Sequence, residues 1–230
     1  NTGVNSSSIQ LKRQHHGRDD TTSDTSTLNY SSHLSSSQRT KSTLAIGVRT
    51  GELTVVVIEI DNTAKYFEEG SPSDYSNLYR DVINMVHSLS RKFGAEFVSC
   101  THNQITLVWN AFNPFTDHIG KACSFMTGFK NQLLTLQSQW SRHSILQTSI
   151  HIGLCSRMGY YGNIGSMRQR YFTVFGPVLD GAMDCVTTAR EWNIGAVRCS
   201  NVTQSIENSF MTRPFTSLLR DPSFVMYEIG

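Results

Sequence analysis

The run Leu53–Ile60 (Leu-Thr-Val-Val-Val-Ile-Glu-Ile) restricts the possible folds of this chain more than any other segment. Apolar and β-branched residues fill successive positions instead of alternate ones, which predicts a strand that is apolar on both faces. Such a strand belongs in the centre of a sheet, with neighbouring strands on both sides. The fold is therefore expected to be built around this segment.

Alternating helical and strand patterns follow the central strand. From Tyr75 to Phe93 apolar side chains recur at steps of three and four, which predicts an amphipathic helix that ends at Gly94. Two short strands are predicted next, over residues 96–101 and 105–109. The tight turn between them falls at His102 and Asn103, so the two strands should form a hairpin.

A second helix and a further strand complete the first half of the pattern. The helix is predicted from an apolar stripe made of Ile119, Ala122, Cys123, Met126, Phe129, Leu133 and Leu136. The strand is predicted over residues 148–155. The order strand, helix, strand, strand, helix, strand predicts an α+β fold with a ferredoxin-like βαββαβ core. We expect added strands and helices after it and a central sheet with helices on one side.

The remaining segments are predicted from composition and turn residues. Residues 159–165 are rich in glycine and are predicted to form a turn region between two strands. A helix is predicted over residues 178–191. Residues 1–48 are dominated by Ser, Thr, Asn, Gln and His, so burial could not offset the entropy of ordering them. They are predicted to be a disordered tail or linker, and residues 49–230 a single folded domain.

Charge and cysteine content exclude several classes of protein. The formal net charge is +2, and no basic stretch is interleaved with aromatic residues, so no nucleic acid partner is expected. The five cysteines include no Cys-x-x-Cys pair, which argues against a disulfide framework or a zinc site. No run of about 18 apolar residues predicts a transmembrane segment. An intracellular, cytoplasmic location is expected, either alone or within a larger protein or assembly.

Several motifs, taken together, resemble the class III adenylyl and guanylyl cyclase catalytic domains. The run 53–60 resembles their first strand, which usually ends in Asp-Ile, and residues 93–109 resemble their hairpin, usually written with Gly-Asp at its tip. Further likeness lies in Ile150-His-Ile-Gly, Tyr161-Gly-Asn-Ile-Gly-Ser and Phe172-Thr-Val-Phe-Gly. The resemblance covers roughly residues 51–230 and implies the cyclase fold and a place in cyclic nucleotide signalling.

The resemblance also shows what the chain lacks at the metal positions. The cyclase reaction is an intramolecular phosphoryl transfer, in which two divalent metals activate the attacking oxygen and neutralise phosphate charge. The family holds them with two Asp residues, to which Glu59 and Asn103 correspond here. Glu59 is one methylene longer, and Asn103 carries no charge. Asp61 is an alternative ligand if the register is shifted.

The positions that serve the nucleotide also depart from the family. An Asn and an Arg, which hold the ribose and stabilise phosphate charge, correspond to Asp180 and Asp184. The spacing of four residues is kept, but carboxylates repel phosphate. Base recognition corresponds to Ser99 and Thr173, neither of which offers a charged contact. His151, in the Ile-His-Ile-Gly motif, is predicted to be structural because no metal-spaced partner accompanies it.

These departures predict a catalytically inactive cyclase-homology domain that acts as a regulatory or structural interaction module. No catalytic residue and no cofactor are expected. The expected partner is a second cyclase-type domain or another protein, and a heterologous partner is allowed. Weak nucleotide binding without turnover is left open. The alternative is a divergent or weakly active cyclase that uses Glu59 and Asp61 to hold Mg²⁺ or Mn²⁺, or a partial contributor to a heterodimeric site.

Overall fold

A computed structural model describes residues 46–142, 148–166, 168–199, 210–218 and 221–229. These residues form a sheet of eight strands with four helices, so the predicted mixed α+β class is confirmed within this part of the chain. The predicted tail over residues 1–48 lies outside the described residues except for its last three positions. No helix in the described ranges is long and apolar enough to cross a membrane.

The strands and helices follow one another in an order close to the predicted one. The strands are β1 (Gly47–Ile60), β2 (Glu96–Cys100), β3 (Gln104–Trp109), β4 (Ile150–Gly165), β5 (Arg170–Phe175), β6 (Ala196–Cys199), β7 (Thr212–Leu218) and β8 (Asp221–Ile229). The helices are α1 (Thr63–Glu68), α2 (Pro72–Phe93), α3 (His118–Arg142) and α4 (Pro177–Glu191).

The sheet has the order β2-β3-β1-β4-β6-β8-β7, and β5 pairs with the second half of β4. The strand β1 is antiparallel to β3 on one side and to β4 on the other, as its apolar pattern predicts for a central strand. The strands β4 and β6 are parallel. The elements from β1 to β4 therefore form the predicted βαββαβ core, to which β5–β8 and α4 are added.

The helix α2 shows how closely local sequence sets its ends. Ser71 and Asp74 form a capping box in which each side chain bonds the other's backbone N–H, and Pro72 occupies the first turn. Gly94 ends the helix at φ 73°, a left-handed conformation that glycine adopts without strain. Between these ends the predicted apolar stripe is buried, apart from Phe93, which is half-buried.

Helices cover both faces of the sheet, so the expectation of helices on one side is wrong. On one face of β1, Thr54 contacts His118 at the start of α3. On the other face, Val57 is in register with Gly153, which lies against α4. The physical reason is the pattern of β1 itself, because a strand that is apolar on both faces needs cover on both.

The glycine-rich segment 159–165 is part of β4 and not the predicted turn region. The strand continues to Gly165 because β1, which begins at Gly47, and β5 flank its second half. Gly162 has a φ of 152°, and a Cβ there would lie 2.0 Å from the Gly47 carbonyl oxygen. Glycine is therefore needed for close approach of two strands, and the chain turns only after Gly165, where the Ser166 N–H donates to the Gln169 carbonyl oxygen.

A buried polar chain joins β1, β4 and α3. The Thr54 hydroxyl donates its one proton to Ser156 Oγ at 3.0 Å. In its 2.8 Å contact with His118, the Thr54 oxygen must therefore accept, and the Nδ1–H of His118 is the donor. All three residues are buried. Burial lowers the pKa of His118 below its usual 6.5, and the carboxylates of Glu52 and Asp117 oppose this only partly.

This lowered pKa predicts a pH dependence of stability. Because the unfolded chain takes up the imidazole proton more readily than the folded one, the contribution of His118 is present above pH 6.5 and is lost as pH falls below it. As the pH falls, the free energy of unfolding of the wild type minus that of His118→Gln should decline by at most about 1.4 kcal/mol per pH unit. Urea titrations between about pH 7 and 5 measure this difference.

The comparison with His118→Gln is needed because a second titratable group, Glu96, gives the stability a pH dependence of the opposite sign. Burial raises the pKa of Glu96 from 4.5 to about 7, with a hydrogen bond from the Phe112 backbone opposing this in part. Its stabilising contribution is present below pH 4.5 and is lost as pH rises through 7. A constant difference between wild type and His118→Gln across this range would contradict the assignment to His118.

Candidate functional site

The two positions assigned to metal ligands lie on adjacent strands. Glu59 is next to last in β1 and is in register with Gln104 of β3 and His151 of β4. Asn103 precedes Gln104 at the hairpin tip, and its carbonyl accepts a 2.7 Å hydrogen bond from the Ile60 N–H. The backbone therefore brings both positions to one end of the central strand pair.

The Glu59 carboxylate is already paired with a cation from the protein. Glu59 is 7% exposed, and its Oε1 accepts a hydrogen bond of 2.5 Å from Nη1 of Arg190. Arg190 lies in the last turn of α4, where a positive charge is also favoured by the helix dipole. A carboxylate this buried requires such a partner, because an isolated charge is costly to remove from water.

The residues present do not fit a two-metal centre. At a nucleotide site, Mg²⁺ is usually held by one or two carboxylates of the protein together with phosphates of the substrate. Glu59 is engaged by the guanidinium, and Asn103 supplies at most a neutral amide oxygen. Within the described ranges, no group of three or more His, Cys, Asp or Glu side chains could hold a metal. No catalytic step is therefore derived through a metal in this chain.

Asp61 is placed in the loop that follows β1. One of its carboxylate oxygens accepts a 2.8 Å hydrogen bond from the Asn62 N–H. The hydroxyl of Thr148 donates to its carbonyl at 3.1 Å, and its own N–H donates to the Ser149 carbonyl. These bonds give Asp61 a local role at the chain turn, and its service as a metal ligand stays a prediction.

The helix α4 carries the two acidic residues that replace the expected donors. Asp180 is exposed in the first turn, and Asp184 follows one turn later and is half-buried. Residues four apart lie on the same side of a helix. A carboxylate in the first turn is favoured by the helix dipole, so Asp180 also has a structural explanation. Neither side chain offers a positive charge to a phosphate.

The two positions assigned to base recognition carry no charge. Ser99 is exposed on β2, next to an irregularity in the pairing of β2 with β3. Thr173 is half-buried on β5, opposite Gly162. Their binding of a purine stays a prediction.

His151 has the structural role that was predicted for it. Its side chain is buried, and its Nδ1 lies 3.0 Å from the Ile194 carbonyl oxygen, which accepts a hydrogen bond from the Nδ1–H. The bond ties β4 to the segment that follows α4. The imidazole is thereby held within the fold, beside the strand position of Glu59.

Sequence reasoning missed Arg190, the residue that defines the electrostatics of this site. Its position near the end of a predicted helix is ordinary for a basic residue, so it carries no local signal. The available signal was indirect: a carboxylate inside a strand that is apolar on both faces needs a cation. The two partners are 131 positions apart, and only the packing of α4 on β1 identifies the pair.

A second feature is an exposed apolar surface on the ribbon formed by β1, β4 and β5. Strand register puts six large side chains on one face: Val48, Met158, Tyr160, Ile164, Tyr171 and Phe175. Each is between 38% and 57% exposed, and the rings of Tyr160 and Phe175 stack with centroids 5.4 Å apart. We call this surface the ribbon face. Contiguous apolar surface of this kind marks interaction sites.

Comparison with known proteins gives likeness in structure and none in sequence. No protein-family model and no curated protein matches the chain. The adenylyl cyclase CyaB from P. aeruginosa superposes with a TM-score of 0.71 at 16% identity, over 80% of this chain and 96% of that one.

Two guanylyl cyclase domains give similar values. The guanylate cyclase domain of RhGC from Catenaria anguillulae, solved with GTP, has a TM-score of 0.68 at 16% identity, over 79% of this chain and 98% of its own. A non-canonical dimeric guanylyl cyclase domain of the RhoGC fusion protein from the aquatic fungus Blastocladiella emersonii has a TM-score of 0.66 at 16% identity, over 80% of this chain and 97% of its own. The chain therefore has the fold of class III cyclase catalytic domains, as its motifs predicted.

Proposed function

We propose that this chain, with its class III cyclase fold, is a catalytically inactive cyclase-homology domain that acts through association with another protein in cyclic nucleotide signalling. The observation that carries the proposal is the ion pair between Glu59 and Arg190. The carboxylate that would hold a metal is occupied by a guanidinium from the same chain. The phosphate-transfer chemistry of the fold depends on metals at this position.

The charges around the pair point the same way. Asn103 is neutral where a second anionic ligand is needed. Asp180 and Asp184 present negative charge where a transition state that gains phosphate charge needs donors. Loss of one such donor typically costs about 3 kcal/mol of transition-state stabilisation, and replacement by an anion costs more. The site therefore opposes the reaction at several independent positions.

Association through the ribbon face accounts for the surface that the fold leaves exposed. Its aromatic members have the size and rigidity of residues that dominate protein interfaces. A guanylyl cyclase domain with this fold has been solved as a non-canonical dimer. We propose that a second cyclase-type domain covers the ribbon face.

A heterologous partner fits the charges better than a second copy. Two copies of α4 near one axis would bring together four carboxylates, from Asp180 and Asp184 of each chain. A partner with Arg or Lys at this place would remove the repulsion.

We propose that the protein is located inside the cell. None of Cys100, Cys123, Cys155 and Cys185 forms a disulfide, and free cysteines are typical of a reducing compartment.

The test of this function is a cyclase assay with ATP and GTP in Mn²⁺, run with calorimetry on the same sample. We expect no cyclic nucleotide, and at most weak heats of nucleotide binding. Binding without product would support a nucleotide-sensing module, whereas metal-dependent product would overturn the proposed inactivity.

A further inference from the structure

We infer that Arg190 is a built-in counter-cation which takes the place of a metal at Glu59 and keeps that position closed to divalent ions. The inference deepens the proposed function, since it explains how the cleft stays folded without a metal. It concerns an internal contact, however, and is measured on the protein alone. The two proposals can therefore fail separately.

The two partners of the ion pair differ in their exposure to solvent. The Glu59 side chain is 9% exposed and that of Arg190 is 41% exposed, so the carboxylate is enclosed while the guanidinium reaches solvent. A buried carboxylate without a cation is strongly destabilising. Arg190 thus supplies the charge that lets β1 end in Glu59 beneath α4.

The strand neighbours of Glu59 supply no second ligand for a metal. Its strand neighbours Gln104 and His151 are committed elsewhere, since the Gln104 amide donates to Met183 Sδ at 3.3 Å and His151 bonds the Ile194 carbonyl. Neither neighbour carries a negative charge. A divalent cation arriving at Glu59 would meet one carboxylate and the Arg190 charge already in contact with it. Coulomb repulsion from the guanidinium therefore excludes the ion.

Arg190 is placed where α4 meets the central strand. It lies on α4, the helix that packs against β1 and β4, close to the helix end where the partial charge is negative. The ion pair therefore joins the helix to the central strand. Removal of the guanidinium should both weaken this junction and open Glu59 to an outside cation.

The experiment compares Arg190→Gln with Arg213→Gln in thermal denaturation. Arg213 forms a pair of similar length with Glu228, 2.6 Å, but is 75% exposed, so its loss should leave the midpoint within about 1 °C. Arg190→Gln should lower the midpoint by roughly 3–8 °C, because Glu59 becomes a buried, unpaired charge. Arg190→Lys should recover part of the loss. Equal shifts for the two glutamine variants would overturn the inference.

The competition with metal is tested in a chain given a second carboxylate. Asn103→Asp alone should show no rise of the midpoint in Mn²⁺. Asn103→Asp combined with Arg190→Gln should rise by roughly 3–6 °C at about ten times the Kd for Mn²⁺. Adding Glu59→Gln to this double variant should abolish the rise, because a carboxylate ligand is lost. The same substitution removes the unpaired buried charge, so the triple variant should stay folded and can serve as the reference.

Two results would overturn the inference. One is an equal response to Mn²⁺ whether or not Arg190 is present, which would mean that the guanidinium and the metal do not compete. The other is the lack of any Glu59-dependent response after Arg190 is removed. Formation of cyclic nucleotide by the wild type would instead overturn the proposed function.

Discussion

Replacing Gly153 by alanine should destabilise the domain by about 3 kcal/mol or more, at or above the upper end of the range typical for forcing an extra carbon into a packed core. An ideal Cβ at this position would lie 2.3 Å from the Ala182 carbonyl oxygen and 2.4 Å from the Val186 nitrogen. Both atoms belong to the backbone of α4, so no side-chain rotation relieves the contact. The helix has to move away from β4.

Displacement of α4 has consequences beyond the local clash. The helix buries Val178, Ala182, Cys185, Val186 and Ala189. It also carries Arg190 to Glu59, so a shift weakens the apolar contact and the ion pair together. The motif Ile-His-Ile-Gly therefore ends in glycine because a helix backbone lies directly on the strand.

Gly195→Ala is the matched control for Gly153→Ala. A Cβ at Gly195 meets nothing within 4 Å, so this variant should unfold within about 0.5 kcal/mol of the wild type. Urea unfolding of both variants measures the difference. A loss at Gly153 no larger than that at Gly195 would show that α4 is not packed against β4 as described.

Tyr171→Glu should reduce capture of the partner by about 30-fold. Tyr171 is 57% exposed near the start of β5, the strand at one edge of the ribbon face, and aromatic anchors of interfaces often contribute about 2 kcal/mol or more. A carboxylate there would also have to be desolvated on binding. Because the side chain is exposed, the substitution should leave the free energy of unfolding nearly unchanged.

The control for this variant is Leu134→Glu. Leu134 is 60% exposed on α3, outside the ribbon face. Tagged wild-type chain and the two variants would be used to capture proteins from the source cells, with the captured proteins identified and quantified by mass spectrometry. Enrichment of a cyclase-type domain by the wild type and Leu134→Glu, but not by Tyr171→Glu, is expected. Equal loss in both variants, or capture of no cyclase-type domain, contradicts the assignment.

The parts of the fold that follow from local patterns could be predicted from the sequence. The apolar run in β1 placed it at the centre of the sheet, and Gly94 marked the end of α2. The glycines of β4 misled because glycine favours turns when it is considered alone. They stay in the strand because Gly47 and β5 approach them closely, which no local pattern records.

The candidate site could be predicted by position but not by contact. The motifs identified Glu59 and Asn103, and the structure brings these two positions to one end of adjacent strands. The identity of the cation beside Glu59 depends on how α4 packs over β1, which is a property of the assembled fold. The helix α4 itself was predicted, but its place on the second face of the sheet was missed for the same reason, although the two apolar faces of β1 required a cover there.

The central claim, that this cyclase fold makes no cyclic nucleotide, is tested most directly by one assay. Wild-type chain and Glu59→Ala are incubated with ATP or GTP in Mn²⁺, and cyclic AMP and cyclic GMP are measured by mass spectrometry. With Glu59 paired to Arg190 and with Asp180 and Asp184 opposing phosphate charge, the two proteins should give the same background. Metal-dependent product from the wild type that Glu59→Ala abolishes would contradict the claim.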